Sequence, residues 1–373
     1  MAHVVIVGAL AMSMEKFRGD LIRVLAAAGH RVTAMSASTS ADEVQRICAL
    51  GANFRALPVQ RNGLNPCQDL QTFFALRRAF KELKPDVVLA YTIKPVIWGG
   101  LALTKCKHTR SIALITGLGF AFQERGHLRK ALTHVITQLY RIALRRLDSV
   151  VFQNPDNLET FVSRGIVVRS KCHVVNGSGV NCDYFTDTPL PAGPPRFLLI
   201  ARFLGEKGLR EYAEAARIAK QRHSDAAFQL VGFEDPSPDA VPMAEVRAWH
   251  EEGVIQYLGE ASDVRPFLAD CHVYVLPSYH EGMPRSVLEA MAMGRPILTT
   301  DVPGCRETVV PGENGYLVSK ADVAALAERM IWFIENRDQW QRMGQASRRM
   351  AEERFDVRKV NAELLRIMDL SLE

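Results

Sequence analysis

Two glutamates, Glu281 and Glu289, stand eight residues apart around a turn that contains glycine and proline. The apolar run 272–276 before them predicts a buried parallel strand, and residues 286–293 favour a helix. In this order of strand, turn and helix, both carboxylates can face the crevice at the end of the strand. One can bind the paired hydroxyls of a ribose, and the other can lie against a polyol or a developing positive charge. The helix start also presents unpaired amides, which attract phosphate.

A second pattern places two cations, Arg202 and Lys207, directly after the strand-like run 196–200. Gly205 and Gly208 give the intervening backbone freedom, so the two side chains can converge on a pyrophosphate. A basic loop after a strand is often only solvated surface, and so are two glutamates around a turn. Neither pattern therefore decides the function alone.

The patterns E-x7-E, in the segment EGMPRSVLEAMAMGRPI, and R-x4-K-G resemble elements of the retaining glycosyltransferases of family 4. Residues 301–318 resemble the family's next element, a Gly-rich segment that closes the donor pocket. The resemblance implies three catalytic residues: Arg202 and Lys207 hold the diphosphate of a nucleotide-sugar, and Glu281 binds the sugar and stabilises its positive charge. The donor-binding residues that it implies are Glu289, Gly282, Met283, Pro284, Ser286, Val287 and Gly232.

The length and overall composition limit which class of protein this chain can be. At 373 residues the chain is long enough for two domains, and 48% hydrophobic with 23% charged residues predicts a soluble globular protein. Its seven cysteines are scattered without a C-x-x-C spacing, which indicates neither a zinc site nor a disulfide framework and fits a reducing cytoplasm. The apolar start at 4–12 is too short to span a bilayer, and we interpret it as a first β-strand.

Short apolar runs alternate with helical patterns, which predicts parallel βαβ units in doubly wound α/β sheets. Residues 176–195 are rich in Gly, Pro and Asp and predict a linker between two Rossmann-like domains. Two such domains with an interdomain cleft correspond to the GT-B fold of the family. We predict strands at 4–8, 31–37, 54–58, 86–90, 111–115, 149–153 and 173–175, then at 196–200, 228–231, 255–258, 273–276, 297–300 and 316–318.

The domain assignment follows from the same pattern. We assign 1–180 to an acceptor-binding domain and 181–355 to a nucleotide-sugar-binding domain. Residues 356–373 resemble the family's terminal helix, which crosses back onto the first domain.

Residues 64–70, 84–88 and 91–99 resemble one branch of the family, whose members build O-antigen, capsule and N-glycan precursors on polyprenyl diphosphate. The resemblance implies a polyprenyl-diphosphate-linked saccharide as acceptor and an (N-acetyl)hexosamine as the sugar, with a UDP-sugar as the favoured donor. The chain departs from the family at two places. Thr116-Gly117 stands where many members have His-Gly, and the first loop carries the single glycine Gly8 where many members have a Gly-Gly pair. We assign Gly8, Arg18, Lys94, Thr116 and Gly117 to the cleft and acceptor side.

Charge is divided unevenly along the chain. The net charge is +5, yet residues 1–180 hold 24 Lys and Arg against 11 Asp and Glu, a net of +13, and the remainder is −8. Basic residues interleave with aromatic and aliphatic ones at 119–148, which is typical of a surface that lies on an anionic membrane. A solvated helix face is the alternative. No nucleic-acid-binding motif accompanies the charge, so we expect peripheral association with the inner face of the plasma membrane and no nucleic-acid partner.

Glycosyl transfer requires a stabilised leaving diphosphate, by a metal on an Asp-x-Asp pair or by fixed cations and helix dipoles. No Asp-x-Asp occurs in the sequence, whereas Arg202 and Lys207 are present, so we expect no metal and no cofactor. The family retains configuration. A front-face mechanism needs no protein nucleophile, and the sequence does not decide between it and a double displacement.

Three alternatives stand beside this function. The chain could transfer another hexose or deoxysugar, GDP- or UDP-linked, in O-antigen or capsule synthesis. It could also be a non-catalytic two-domain protein that binds nucleotide-sugars, although both clamp cations and both glutamates are present. A Rossmann oxidoreductase would need G-x-G-x-x-G after the first strand, and Gly8-Ala9-Leu10 does not match that pattern.

Overall fold

The structure is a computed structural model that describes residues 1–60, 65–106, 108–118, 127–237 and 239–370, without the side chains of 105 and 127–131. The chain forms two compact units. The first comprises Met1–Ser178 and Lys359–Glu373, and the second comprises Gly179–Arg358. The sequence-based assignment had placed these divisions after residues 180 and 355.

The first unit is built on a parallel sheet of seven strands among the described residues, in the order β3-β2-β1-β4-β5-β6-β7. Its central strands are buried along their whole length, because helices cover both faces of a doubly wound sheet. The strands are β1 (His3–Val7), β2 (Arg31–Ala37), β3 (Ala52–Leu57), β4 (Val87–Tyr91), β5 (Arg110–Ile115), β6 (Ser149–Phe152) and β7 (Cys172–Val174).

The helices of the first unit alternate with these strands, as right-handed crossovers require. They are α1 (Ala11–Ala27), α2 (Ala41–Ala49), α3 (Pro66–Leu83), α4 (Ile93–Ala102), α5 (His127–Leu144) and α6 (Pro155–Ser163). Several begin at recognisable caps: Ser40 accepts a bond from the amide of Glu43, and Asn154 accepts one from the amide of Asn157.

The second unit repeats the plan with a six-stranded parallel sheet among its described residues, in the order β10-β9-β8-β11-β12-β13. Its strands are β8 (Arg196–Ile200), β9 (Ala227–Val231), β10 (Gln256–Tyr257), β11 (Val273–Leu276), β12 (Ile297–Thr300) and β13 (Gly315–Val318). Its helices are α7 (Leu209–Arg222), α8 (Met243–Glu251), α9 (Arg265–Ala269), α10 (Arg285–Ala292), α11 (Val323–Glu335) and α12 (Gln339–Met350).

The chain leaves and re-enters the first unit through two adjacent segments. The amide of Val180 donates to Phe355 O at 2.8 Å, and the amide of Val357 donates to Val180 O at 2.9 Å. The next helix, α13 (Val357–Met368), belongs to the first unit from Lys359 onward. Its side chains pack in one buried cluster with those of β1 and α1.

The predicted α/β fold class, with two doubly wound Rossmann-like units, is confirmed. Every predicted strand has a counterpart, and bounds differ most at β3, which begins two residues earlier, and at β10, which is two residues long. The strands could be predicted because a parallel sheet that is covered on both faces requires buried apolar runs, and such runs are visible in the sequence.

Candidate functional site

The candidate site lies where the strand order of the second sheet reverses. Strands β8 and β11 pair at the centre of this sheet, with Val273 opposite Phe197, although they are not consecutive in the chain. Their carboxyl ends therefore meet, and crevices at such switch points are where doubly wound sheets bind ligands. Arg202 follows β8 by two residues, and Glu281 follows β11 by five.

The loops after β8 and β11 are joined by a salt bridge. Lys207 Nζ lies 2.6 Å from Glu281 Oε1, and each side chain is only 14% exposed. The backbone carbonyl of Glu206 accepts bonds from the Tyr279 amide at 2.7 Å and from the Ser278 hydroxyl at 3.2 Å. The structure thus brings together the predicted cation and the predicted catalytic carboxylate, which come from motifs 74 residues apart.

Gly208 makes this approach possible. It has a φ of +72°, and a β-carbon built there would overlap the carbonyl oxygen of Pro277. Only glycine tolerates both the conformation and the contact without strain. The glycine of the R-x4-K-G pattern therefore lets the Lys207 loop lie directly against the end of β11.

Arg202 is paired with a carboxylate from the neighbouring loop after β9. Its guanidinium forms an ion pair with Asp235, whose residue is 3% exposed and whose Oδ1 accepts a bond from the Ser237 amide at 3.0 Å. In the same loop, Asp239 accepts a bond from the Glu206 amide at 2.9 Å. Sequence reasoning had not singled out either aspartate, since their role depends on the adjacency of β8 and β9.

Helix α10 carries the second glutamate of the E-x7-E pattern. Glu289 lies just over one turn into the helix and is 12% exposed, and Arg285 Nε donates to its Oε1 at 2.8 Å. Arg285 stands inside the predicted motif, but the prediction gave it no role.

The other predicted donor-binding residues differ in their access to a ligand. Met283, Ser286, Glu281 and Glu289 are partly exposed, whereas Gly282 and Pro284 are buried. Val287 is completely buried in the core, and its amide donates to Pro284 O at 3.1 Å. Its side chain thus lies behind the site and cannot contact a donor in this conformation. Gly232 is required by a close contact, because a β-carbon there would overlap the Ala201 carbonyl oxygen.

The segment predicted to close the donor pocket supports the Glu281 loop. Gly304 has a φ of +86°, and a β-carbon there would come within 2.7 Å of Glu281 O and 2.8 Å of Gly282 O. The Glu281 amide donates to Pro303 O at 3.2 Å. These contacts fix the backbone that carries the first glutamate.

The adjacent His280 is neutral near pH 7. Burial lowers its pKa, Lys207 and Lys320 lower it further, and Glu281 and Glu206 oppose them. Its Nε2 is buried and has no hydrogen-bond partner among the described residues. The loop therefore adds no further positive charge to that of Arg202, Lys207 and Arg285.

This arrangement can hold a nucleoside diphosphate. Three partly buried cations stand at the carboxyl end of one sheet, and each already has a carboxylate partner. Guanidinium and ammonium groups bind phosphate oxygens by charge-assisted hydrogen bonds, and a carboxylate on the adjacent helix can accept bonds from ribose hydroxyls.

The residues assigned to the acceptor side lie in the first unit. Gly8, Lys94 and Thr116-Gly117 follow the carboxyl ends of the neighbouring strands β1, β4 and β5. Lys94 Nζ lies 2.8 Å from Asp69 Oδ1, and both side chains are largely buried. Arg18 is different: it is 2% exposed, and its guanidinium lies over the ring of Tyr91, 5.2 Å from the centroid. It therefore supports Tyr91 from the interior and does not line a surface.

The conformation of Thr92, which immediately precedes α4, was not predicted from sequence. Thr92 has a φ of +67° and a ψ of 161°, a strained combination for a residue with a side chain. Its hydroxyl is buried and has no hydrogen-bond partner among the described residues. No local pattern in the sequence indicated this conformation.

The predicted membrane-facing segment is only partly within the described residues. Residues 119–126 lie outside them, as do the side chains at 127–131. On the remainder of α5 the apolar side chains of Val135 and Ile142 are exposed, and the basic side chains of Arg145 and Arg146 are exposed directly after the helix ends. None of the helices in the described ranges is both long enough and apolar enough to cross a membrane.

Comparison with known proteins gives a consistent result. A family model described as "Glycosyl transferase 4-like domain" matches residues 14–177, and one described as "Glycosyl transferases group 1" matches residues 194–336. The chain is 30% identical over 305 residues to the N,N'-diacetylbacillosaminyl-diphospho-undecaprenol alpha-1,3-N-acetylgalactosaminyltransferase of Campylobacter jejuni, covering 78% of this chain and 79% of that protein. It is 24% identical to the putative glycosyltransferase EpsD of Bacillus subtilis, with 82% of each chain covered.

Two solved structures share the fold. Sucrose-phosphate synthase from Thermosynechococcus elongatus superposes with a TM-score of 0.81 over 98% of both chains, at 18% identity. Anabaena HepE, in complex with UDP and glucose, superposes with a TM-score of 0.80 over 99% of this chain and all of that one, at 17% identity.

Proposed function

Since the chain belongs to the family 4 glycosyltransferases, we propose that it transfers an N-acetylhexosamine or related sugar from a UDP-sugar to a saccharide on polyprenyl diphosphate. The relative from Campylobacter jejuni is named for such an acceptor and such a sugar. HepE, which has the same fold, is described in complex with UDP. Both likenesses support the proposed substrates.

The observation that carries the proposal is the salt bridge between Lys207 and Glu281, 2.6 Å long, at the switch point of the second sheet. Lys207 and Arg202 hold the diphosphate and stabilise the charge that develops on it as it leaves. Glu281 lies beside Lys207, and in this proposal it faces the anomeric carbon as that carbon becomes positive. Glu289, on α10, accepts hydrogen bonds from the ribose hydroxyls.

The reaction retains configuration in this proposal. The acceptor hydroxyl oxygen bonds to the anomeric carbon while the bond from that carbon to the diphosphate oxygen breaks. The hydroxyl proton passes to the departing phosphate oxygen on the same face of the sugar. This route requires no nucleophile from the protein, and it agrees with a site in which both glutamates are held by cations.

We propose further that transfer needs no metal ion. Three cations, Arg202, Lys207 and Arg285, stand where the diphosphate would bind, and fixed positive charge performs the electrostatic task of a divalent cation.

The acceptor is carried by a lipid, and we propose that the first unit docks peripherally on an anionic membrane surface at the cytoplasmic side. Its sequence carries the excess of positive charge, α5 exposes Val135 and Ile142, and Arg145 and Arg146 are exposed directly after the helix. Basic residues attract anionic headgroups, and neighbouring apolar side chains can enter the interface.

The central test is a transfer assay with a panel of UDP- and GDP-sugars and a polyprenyl-diphosphate-linked saccharide. We expect one UDP-N-acetylhexosamine to support transfer. Replacing Lys207 or Glu289 by Ala should raise the donor KM or lower kcat by an amount equivalent to about 1.5–3 kcal/mol, since each change removes a charge-assisted hydrogen bond.

A matched control is Arg217→Ala, because Arg217 forms an Arg–Glu pair with Glu252 on the surface of the same unit. It should leave transfer unchanged. Wild-type turnover by the Lys207 and Glu289 variants at limiting donor would contradict the assigned site. Preference for a GDP-linked hexose or deoxysugar would favour the alternative donor class.

A further inference from the structure

Arg285 occupies an unusual place for an arginine. It is the first residue of α10, 25% exposed, and its Nε donates to Glu289 Oε1 at 2.8 Å. The amino end of a helix carries partial positive charge, so a cation there opposes the helix dipole. Arginine preceding glutamate by four residues is also the less stabilising order for a helical ion pair. Helix stability therefore does not account for this pair.

Burial of the glutamate separates this pair from comparable ones in the molecule. Among the described residues, two other arginines pair with a glutamate four residues later. In one, Arg78–Glu82, the side chains are 80% and 44% exposed, and in the other, Arg348–Glu352, they are 18% and 49% exposed. At Arg285–Glu289 the values are 25% and 12%. Removing both charges from water costs free energy, so the pair needs another explanation.

The position of Glu289 explains why the buried pair is present. Glu289 is the carboxylate that the proposed function places against the ribose, and its neighbours Leu288 and Ala290 are buried. A ribose presents two vicinal hydroxyls, and a carboxylate recognises them well only when its plane is fixed. A salt bridge to one carboxylate oxygen fixes that plane before the ligand arrives, which lowers the entropy lost on binding.

We propose that Arg285 is a positioning residue for Glu289 and sets the selectivity of the site for a nucleoside diphosphate with an intact ribose diol. The inference rests on the proposed function, since it takes Glu289 as the ribose contact. Arg285 acts through Glu289, and its charge also lies at the helix start where phosphate oxygens would approach.

The test compares two ligands by calorimetry, UDP and 2′,3′-dideoxy-UDP, on the full chain. The wild type should bind UDP at least tenfold more tightly than the dideoxy compound. Arg285→Met, which keeps an aliphatic side chain and removes the guanidinium charge, should weaken UDP binding about tenfold. It should weaken binding of the dideoxy compound less, because that ligand keeps the diphosphate but lacks the diol, so that the ratio between the ligands falls.

The matched control is Arg217→Met. Arg217 Nε lies 2.8 Å from Glu252 Oε1, the same distance as in the proposed pair, but on the surface of the unit. This variant should keep the wild-type ratio. Arg285→Lys should recover part of the ratio, because it restores the charge but not the geometry.

A double-mutant cycle adds an independent readout. Glu289→Gln should lower the ratio by itself, and Arg285→Met added to Glu289→Gln should lower it no further. An unchanged ratio in Arg285→Met, or additive effects in the cycle, would overturn the positioning role while leaving the proposed function intact. A wild type that binds neither UDP nor its dideoxy analogue would overturn the proposed function and, with it, this inference.

Discussion

At the scale of residues, each cation of the proposed donor site has its own carboxylate. Asp235 accompanies Arg202, Glu281 accompanies Lys207, and Glu289 accompanies Arg285. The pairs hold long, flexible side chains in place and keep their charges compensated when no ligand is bound. A diphosphate must then compete with these carboxylates for the cations. The pairs therefore order the cations before a ligand binds, but they lower the affinity for that ligand.

Asp235→Asn tests the most buried of these carboxylates. The asparagine oxygen can still accept the bond from the Ser237 amide, so the loop should keep its conformation while Arg202 loses its countercharge. We expect UDP binding to weaken by about 1–2 kcal/mol, because the ligand must then order the guanidinium itself. Binding of UMP, measured by calorimetry, should change less.

The control for Asp235 is Asp225→Asn, an exposed aspartate that pairs with Arg337 across 3.4 Å. It should bind UDP like the wild type. Tighter UDP binding by Asp235→Asn would mean that competition by the carboxylate outweighs orientation, contrary to the prediction.

Metal removal is the second prediction at this scale. Transfer in excess EDTA should match transfer in magnesium, because Arg202, Lys207 and Arg285 supply the charge that the leaving diphosphate needs. Initial rates with a lipid-linked acceptor are the measurement. A loss of more than tenfold that magnesium restores would show that a metal takes part.

Sequence reasoning singled out residues that stand in spaced motifs and missed Asp235 and Arg285, which pair with two of them. Arg202, Lys207, Glu281 and Glu289 could be singled out because they follow strands at recognisable intervals. Asp235 becomes relevant only because β9 lies beside β8, a fact about sheet order that spacing does not contain. At Val287 the position within the motif gave no information about which way the side chain points, and the structure places that side chain in the core.

At the scale of elements, the central strands were predictable because their buried runs of four or five residues are largely apolar. Edge strands lack this constraint. β10 forms an edge of the second sheet, has an exposed Gln256 and is two residues shorter than predicted. The strained conformation of Thr92, just before α4, could not be predicted either, because the type of this residue gives no sign of it.

A buried histidine that ties two strands together gives a prediction for pH. His272 is 2% exposed: its Nδ1 accepts from the Arg196 amide at 3.0 Å, and its Nε2 donates to Pro191 O at 2.7 Å. Burial lowers its pKa below the usual 6.5. The unfolded chain therefore takes up a proton before the folded one, so the contribution of this residue to stability is lost as pH falls below about 6.5.

We expect the urea midpoint of the second unit to fall between pH 7.5 and 5.5. In His272→Gln, which cannot ionise, the protein should be less stable at pH 7.5 by about 1–3 kcal/mol through lost hydrogen bonds. Its midpoint should nevertheless depend less on pH. Equal slopes for the variant and the wild type would show that other groups govern the acid response.

At the scale of the whole molecule, the division of charge predicts a salt-dependent affinity for anionic membranes. Each basic residue near such a surface contributes about 1 kcal/mol, and screening reduces this as ionic strength rises. In vesicle co-sedimentation, binding should be stronger to anionic than to neutral lipid. It should weaken when four residues are replaced by Gln: Arg129, Lys130, Arg145 and Arg146.

The control replaces the same number of exposed arginines on the second unit, namely Arg222, Arg337, Arg342 and Arg349. That variant should sediment like the wild type. Equal binding to both lipids, or an equal loss of binding in the two variants, would show that the excess of positive charge is only solvated surface.

The role of α13 gives the last prediction. A chain that stops after Arg358 lacks the side chains that pack against β1 and α1, which are Val360, Leu364, Leu365, Ile367 and Met368. Burial of each large apolar side chain is worth roughly 1.5–3 kcal/mol, and a domain has only about 5–15 kcal/mol in total. Hydrogen exchange should show lost protection in the first unit, while β8–β13 remain protected. Uniform loss in both units would contradict their independence.

The return of α13 to the first unit also orders events during synthesis. The second unit is an insertion of 180 residues, Gly179–Arg358, between two parts of the first. At about 5–20 residues per second, a ribosome needs roughly 10–40 seconds to make it. For that time the apolar surface of β1 and α1 that α13 covers is in water, while the second unit can already fold. The nascent first unit is therefore the part of this protein that most needs protection by chaperones.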